Sequence, residues 1–161
     1  MPSITPFLWF DGNAEEAMLF YCSVFKDSKA GSVMRGPDGK VFSVTFQLAG
    51  QEFMALNAGP EYKFTPAISL FVSCKDQKEV DNLWGKLSAD PKAEQCGWLK
   101  DKYGLSWQII PTALGELLQD RDAEKAGRVM QAMLKMKKID IKRLRQAYRS
   151  EERRVGKECR L

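Results

Sequence analysis

The chain has 161 residues, of which 44% are hydrophobic and 29% are charged, so it is long enough for one buried core and too apolar for a disordered chain. It contains no histidine, which excludes Ser-His and Cys-His catalytic pairs and every metal site built on imidazole. Its four cysteines form no C-x-x-C pair, which excludes a zinc ribbon or a thioredoxin-type redox motif and indicates reduced thiols.

Charge is unevenly distributed along the chain. Residues 135–161 carry 11 Lys or Arg against 4 Asp or Glu, whereas residues 1–134 carry 14 against 17. No nucleic-acid-binding motif accompanies the basic end, so we interpret it as a solvated helix face and expect no nucleic acid partner. Apolar runs fall far short of the ~20 residues of a membrane helix, and no signal-peptide pattern opens the chain. We therefore predict a cytoplasmic protein without a membrane partner.

The chain begins with a predicted strand and helix. An apolar and aromatic strand over residues 4–10 ends at an Asp-Gly-Asn turn. Asn13 is the predicted N-cap of the helix that follows, and Glu16 is spaced to reach back toward it. Helical spacing of the apolar residues predicts that this helix covers residues 14–25.

A hairpin is predicted next. Residues 32–34 and 40–48 flank a Gly-Pro-Asp-Gly turn. Alternation in the second segment places four apolar side chains on one face of the strand, namely Phe42, Val44, Phe46 and Leu48. A further strand over residues 52–56 completes a βαβββ unit that we assign to residues 3–57.

The same order of elements begins again after a loop and predicts a second, shorter unit over residues 66–111. Asn13 and Asp76 lie 63 residues apart, as do Glu16 and Glu79. The same shift superimposes four apolar helix positions on four others: Ala17, Phe20, Tyr21 and Val24 on Val80, Leu83, Trp84 and Leu87. We interpret this match as an internal duplication of the βαβββ unit. The strands of the second copy are predicted at residues 67–74, 94–99 and 105–110.

The remainder of the chain predicts helices. Residues 112–149 contain apolar faces at helical spacing, with Asp122 as an N-cap and a last helix over residues 139–148. Together with the two units, this extension is predicted to complete a single domain over residues 1–149. Residues 150–161, which include Cys159, have no apolar periodicity and are predicted to be a non-native or disordered tail.

Three segments carry a family resemblance: ITPFLWFDGNAEEA (residues 4–17), GQEFMALN (50–57) and QCGWLKDKYGLSWQ (95–108). They resemble the PhnB-like, or 3-demethylubiquinone-9 3-methyltransferase-like, branch of the vicinal oxygen chelate superfamily, which includes glyoxalase I, extradiol dioxygenases and bleomycin resistance proteins. The resemblance implies an α+β fold of two tandem βαβββ units that curl around a cleft, followed by C-terminal helices. It also implies a homodimer.

The resemblance also locates the positions at which enzymes of this superfamily hold a divalent metal. They fall at Ile4 and Ala67 in the first strand of each half, and at Met54 or Ala55 and Gln108 in the last strands. Of these residues only Gln108 offers an oxygen ligand, and one amide oxygen cannot hold a divalent metal. We therefore expect no metal, no other cofactor, and no metal-dependent glyoxalase or dioxygenase activity.

Candidate ligand-binding residues are aromatic or amide side chains on or near the strands around the expected cleft. The four aromatic ones are Trp9, Phe53, Trp98 and Trp107, each of which is able either to stack on a ligand or to pack in a core. Asn57 and Gln108 are able to orient a ligand by hydrogen bonds or to serve as satisfied amides of the fold.

Two functions from different classes fit these residues. The first is a metal-free protein that binds a small hydrophobic or aromatic molecule, and it is favoured because no complete catalytic constellation is present. The alternative is a metal-independent enzyme in which Gln108, Asn57 or Cys96 polarises or attacks a small metabolite. Methyl transfer from S-adenosylmethionine is not expected, since no glycine-rich turn follows the first strand.

Overall fold

The computed structural model describes residues 1–150 and contains two compact units. The first unit is Met1–Thr65, and the second begins at Pro66. Within residues 1–150, no helix is both long and apolar enough to cross a lipid bilayer. The predicted tail lies outside the described residues except for Ser150.

The first unit is a four-stranded sheet covered on one face by a helix. Its elements are β1 (Phe7–Phe10), α1 (Ala14–Val24), β2 (Lys29–Arg35), β3 (Val41–Leu48) and β4 (Gln51–Asn57). The strand order is β1-β4-β3-β2, with β1 parallel to β4 and the other pairs antiparallel. Val44, Phe46 and Leu48 are buried as their alternation predicts, whereas Phe42, at the beginning of β3, is 51% exposed.

The second unit repeats this plan with one strand fewer. Its elements are β5 (Ser69–Cys74), α2 (Gln77–Leu87), β6 (Trp98–Lys100) and β7 (Ser106–Pro111), in the strand order β5-β7-β6. The strand predicted at residues 94–99 is short because the chain turns back within it: Cys96 and Gly97 have φ values of 52° and 86°, and Gln95 and Trp98 exchange backbone hydrogen bonds across this turn. Only the residues after this turn, Trp98–Lys100, pair with β7. The α+β class of two related sheet-and-helix units is confirmed.

The repeat contains an offset that the sequence comparison missed. α1 and α2 have 11 residues each and lie 63 positions apart, as predicted. The preceding strands end at Phe10 and Cys74, which are 64 positions apart, because the turn before α2 is one residue shorter. A shift of one residue moves a side chain to the opposite face of a strand. The pairing of Ile4 with Ala67 is therefore wrong, and both residues lie ahead of their strands.

The capping prediction for α1 was also wrong in its chemistry. Asn13 occupies the N-cap position, but its side chain makes no capping hydrogen bond. The Ala14 N–H instead donates to Oδ1 of Asn57, 2.9 Å away, at the end of β4. In the second unit the predicted cap is confirmed, since Oδ1 of Asp76 accepts from the Glu79 N–H at 2.9 Å and Glu79 reaches back to the Lys75 N–H.

Three helices follow the second sheet: α3 (Thr112–Leu118), α4 (Ala123–Leu134) and α5 (Ile141–Arg149). Asp122 caps α4 through the N–H groups of Glu124 and Lys125, as predicted. A buried cluster joins the helices to β7 and includes Ile110, Leu114, Val129, Met136, Ile139 and Leu144. The segment between α4 and α5 is fastened to the sheet, because its carbonyl groups accept hydrogen bonds from the Cys96 and Gly97 N–H groups, both at 2.8 Å.

The turn between β3 and β4 leads to a stability prediction. Ala49 and Gly50 have φ values of 49° and 85°, as a two-residue type I′ hairpin turn requires. Alanine is strained in this region, whereas asparagine tolerates it and is the preferred first residue of such turns. Ala49→Asn is expected to raise the free energy of unfolding by about 0.5–1 kcal/mol, measured by urea denaturation.

Ala89→Asn is the control for this prediction, since Ala89 is also exposed but has a negative φ. It is expected to give no gain in stability. An equal gain at both positions would show that the effect of asparagine does not depend on the turn geometry.

Candidate functional site

The second unit contains a cavity of about 760 Å³ over the face of its sheet that is opposite α2. Three side chains in register form part of its floor, because Gln108 on the central strand β7 is paired with Phe71 on β5 and with Trp98 on β6. Residues directly opposite one another on neighbouring strands project on the same face. The amide of Gln108 therefore lies between two aromatic side chains.

The wall of the cavity is apolar where the helices cross it. Leu114 and Leu118 come from α3, and Met133 and Leu134 come from α4. Leu114 and Leu118 lie one turn apart on the same face of α3, whereas Met133 and Leu134 are consecutive residues at the end of α4. Ser106 and Lys100, which are paired with each other in the next row of the sheet, also line the cavity.

Gln108 has a fixed orientation in this site. Its Nε2 donates a hydrogen bond to the Ser69 hydroxyl oxygen at 3.0 Å. Its amide oxygen accepts no hydrogen bond from any group in residues 1–150. The side chain therefore has an acceptor available for a ligand.

Two of the three described cysteines are unreactive as nucleophiles, and the third, Cys96, lies at the cavity. Cys96 lines the cavity and has a φ of 52°, and its N–H donates to the Met136 carbonyl oxygen. Burial raises the pKa of the Cys74 thiol to about 12, with Glu79 and Asp76 adding to the shift, and burial also raises the pKa of Cys22. Cys74 and Cys22 therefore remain protonated at neutral pH and are not nucleophiles there.

Of the six predicted ligand-binding residues, two line the cavity and four lie elsewhere in the structure. Trp98 and Gln108 both line the cavity. Trp107 alternates with Gln108 on β7, so it projects to the opposite face, where it is 2% exposed and its Nε1 donates to Asp101. It belongs to the core of the second unit.

The other three residues belong to the first unit. Phe53 is 6% exposed and stacks on Phe46 with the ring centroids 5.4 Å apart, so it is a core residue. Both polar atoms of the Asn57 amide are hydrogen-bonded within the protein: Oδ1 accepts from the Ala14 N–H at the start of α1, and Nδ2 donates to the Val41 carbonyl oxygen. Trp9 is half-buried, donates from Nε1 to the Gly59 carbonyl oxygen and makes an edge contact with Tyr62.

Sequence reasoning missed the cavity residues that lie in register with Gln108 or with one another, namely Phe71, Lys100 and Ser106, as well as the apolar helix residues of the wall. Phe71 is 60% exposed although it lies in an apolar strand, so its face is not evident from the sequence. The signal that identifies all three is their register with Gln108 and with one another, which requires knowledge of the pairing of β5, β6 and β7.

The positions that hold a divalent metal in the superfamily do not form a metal site here. Ile4 is 94% exposed and precedes β1, while Ala55 is fully buried in the first core. Among residues 1–150, no three His, Cys, Asp or Glu side chains come together in an arrangement that could hold a metal ion. The donor set does not fit a divalent cation, which needs several oxygen or nitrogen ligands.

Comparisons with known proteins agree with the sequence resemblance. A family model described as 3-demethylubiquinone-9 3-methyltransferase matches residues 2–110. The structure of a Bacillus cereus PhnB protein is 40% identical, with a TM-score of 0.60, and the match covers 68% of this chain and 99% of that one. A Staphylococcus aureus protein is 35% identical over 67% of this chain and 94% of that one, with a TM-score of 0.33.

A more distant structure, the protein PA1353 from Pseudomonas aeruginosa, shares the fold. It is 17% identical, with a TM-score of 0.54, over 69% of this chain and 98% of that one. No curated protein matches the sequence. On the family match and the 40% identity to the Bacillus cereus protein, the chain belongs to the PhnB-like, 3-demethylubiquinone-9 3-methyltransferase family.

Proposed function

We propose that this chain binds a small, flat, hydrophobic or aromatic molecule in the cavity of its second unit, without a metal ion. The observation that supports this proposal most directly is the row of Phe71, Gln108 and Trp98 on the cavity floor. Two aromatic side chains on either side of an amide provide stacking surfaces and one oriented hydrogen-bonding group. Most small-molecule sites combine an apolar wall with a few polar groups in this way.

The size and the lining of the cavity support the same proposal. Its volume of about 760 Å³ lies within the range of ~300–1,000 Å³ that is typical of sites for small molecules. The four apolar side chains from α3 and α4 supply most of one wall. Burial of an apolar ligand against them is favourable because it removes apolar surface of both partners from water.

A binding role fits the lining residues better than turnover does. The described residues that line the cavity include no carboxylate and no histidine, so a general base is lacking. Cys96 is present, but the lining offers no general base that would take the proton of its thiol, and Lys100 is the single charged side chain there. At the superfamily metal positions only Gln108 offers an oxygen ligand, and this single amide supports metal-free binding.

The proposal also includes a homodimer in the cytoplasm. The dimer is implied by the resemblance to the family, and sedimentation equilibrium would test it. Cys22, Cys74 and Cys96 are free thiols, which is typical of proteins from a reducing compartment.

The experiment that tests the binding role uses a neutral aromatic probe, N-phenyl-1-naphthylamine, whose fluorescence rises in apolar surroundings. Phe71→Ala and Trp98→Ala are each expected to weaken binding of the probe by about 3- to 10-fold, because each removes one stacking surface. Phe42→Ala is the matched control, since Phe42 is 51% exposed, against 60% for Phe71, but lies in the first unit. Equal affinities of the two cavity variants and the wild type would contradict the proposed site.

A further inference from the structure

The cavity changes in polarity from one end to the other. The row of the sheet nearest α3 contains Ile110 and faces the apolar helices. The middle row contains Gln108 between its two aromatic neighbours. The far row contains Ser69, Ser106 and Lys100, which are paired across the three strands. A ligand that matches this floor has an apolar or aromatic body and a polar group at one end.

Ser106 lies at the polar end of the cavity, and its hydroxyl group is not used in hydrogen bonds within the protein. It is 2% exposed and lines the cavity. Its hydroxyl makes no hydrogen bond to any side chain or backbone group of residues 1–150. No fully buried side-chain oxygen or nitrogen in residues 1–150 lacks a hydrogen-bond partner, so the Ser106 hydroxyl is not sealed in the core but is open to the cavity. A hydroxyl in this state is available to donate to an acceptor in the cavity.

Lys100 determines the charge of the group that fits there. It is the only charged residue among the described residues that line the cavity, and it forms no ion pair within residues 1–150. Its strand position pairs it directly with Ser106. An ammonium group and a hydroxyl donor side by side match an anion, which accepts hydrogen bonds from both.

We propose that the ligand is an aromatic or other flat apolar anion, such as a carboxylate or a sulfonate. Its anionic group lies against Lys100 and Ser106, and its body lies between Phe71 and Trp98. This inference rests on the proposed function, because it assigns the chemical class of the molecule that the same cavity binds. Lys100 and Ser106 are then the residues that select anions over neutral molecules of the same shape.

The test compares two fluorescent probes that share one aromatic body. N-phenyl-1-naphthylamine is neutral, and 1-anilinonaphthalene-8-sulfonate is the same molecule with a sulfonate group. The full chain is expected to bind the sulfonate more tightly by roughly ten-fold at low salt, and added NaCl is expected to reduce that ratio. Lys100→Met is expected to bring the ratio close to one while the affinity for the neutral probe changes less than about two-fold.

Two further variants separate a site effect from a general one. Lys86→Met removes the same charge from the exposed surface of α2, outside the cavity lining, and is expected to leave the ratio unchanged. Ser106→Ala is expected to weaken sulfonate binding by about three-fold without lowering the thermal midpoint, since its hydroxyl has no partner in the fold to lose.

The outcomes distinguish the two proposals. If the neutral probe binds in a Trp98-dependent manner but Lys100→Met leaves the ratio of affinities unchanged, the anion proposal is overturned and the binding role stands. If neither probe responds to Phe71→Ala or Trp98→Ala, the binding role itself fails. A ratio that falls equally in Lys86→Met and Lys100→Met reflects only the net charge of the protein and also overturns the anion proposal.

Discussion

Replacement of Gly97 by alanine is expected to lower the free energy of unfolding by about 3 kcal/mol, which is a large part of the stability of a typical domain. Gly97 has a φ of +86°, a conformation that side-chain-bearing residues rarely adopt. An added Cβ would lie 2.5 Å from Cδ1 of Ile110, 3.1 Å from Cγ1 of Ile139 and 3.3 Å from the Ile109 carbonyl oxygen. Conformational strain and overpacking therefore act together at this position.

The position of Gly97 limits how far the protein can relax around the new methyl group. Ile139 is 0% exposed and has no free space to enter, so relaxation depends on Ile110, which is 8% exposed and lines the cavity. The Gly97 N–H also donates to the Lys137 carbonyl oxygen, which fastens the segment before α5 to the sheet. Any movement of the backbone away from Ile139 would lengthen this bond.

Urea denaturation of the wild type and of Gly97→Ala measures the loss. Gly127→Ala is the control, because a Cβ at Gly127 in α4 would meet nothing within 4 Å. Alanine is a better helix former than glycine, so this control is expected to gain about 0.5–1 kcal/mol. A loss below about 1 kcal/mol for Gly97→Ala would mean that the two isoleucines yield more easily than their burial indicates.

Replacement of Asp101 by alanine is expected to cost about 3–5 kcal/mol. This carboxylate is 3% exposed and organises the turn between β6 and β7. Its Oδ1 accepts from the N–H groups of Tyr103 at 2.8 Å and Leu105 at 3.0 Å, and its Oδ2 accepts from Nε1 of Trp107 at 2.9 Å. Alanine would leave three donors without their acceptor, in a turn where water has little access.

Two other substitutions calibrate this prediction. Asp101→Asn keeps only one side-chain oxygen. In one orientation of the amide its NH₂ group faces the Trp107 Nε1–H donor, and in the other it faces the two backbone N–H donors of the turn. We therefore expect an intermediate loss of about 2 kcal/mol. Asp90→Ala removes a turn aspartate that accepts from a single N–H, that of Lys92, and is expected to cost about 0.5–1 kcal/mol. Equal losses for Asp101→Ala and Asp90→Ala, read from chemical denaturation, would contradict the role assigned to the buried carboxylate.

Local patterns in the sequence were sufficient to predict most of the fold. The spacing of apolar residues predicted α1 and α2 and their separation of 63 residues, because amphipathic helices show their buried face within a few turns. Alternation predicted the buried side chains of β3 in the same way. The caps Asp76 and Asp122 were predicted because a cap and its partner are close in sequence.

Features that depend on distant pairs of residues were not predicted. The cap of α1 comes from Asn57, 43 residues away from Ala14, so no local pattern indicates it. Of the cavity lining, Trp98 and Gln108 were predicted as ligand-binding residues and Cys96 as a reactive one in the enzyme alternative. Phe71, Ser106 and Lys100 were not predicted, because they join the site through strand register. β7 is largely buried on both of its faces, which conceals the alternation that would have separated Trp107 from Gln108.

The backbone hydrogen bonds around β6 also affect the tendency of the protein to aggregate. Outer strands of sheets expose backbone groups to which another chain is able to add as a further strand. On β6, Trp98 exchanges hydrogen bonds with Gln95, and the Lys100 carbonyl oxygen accepts from the Ala89 N–H, so these groups are already occupied. β2 is exposed at every residue and is protected differently, by a break in its register near Gly31 and by the charges of Lys29 and Arg35 at its ends. The β6 edge of the second unit is thereby closed by hydrogen bonds of its own backbone, whereas the β2 edge of the first unit depends on irregularity and charge to resist strand addition.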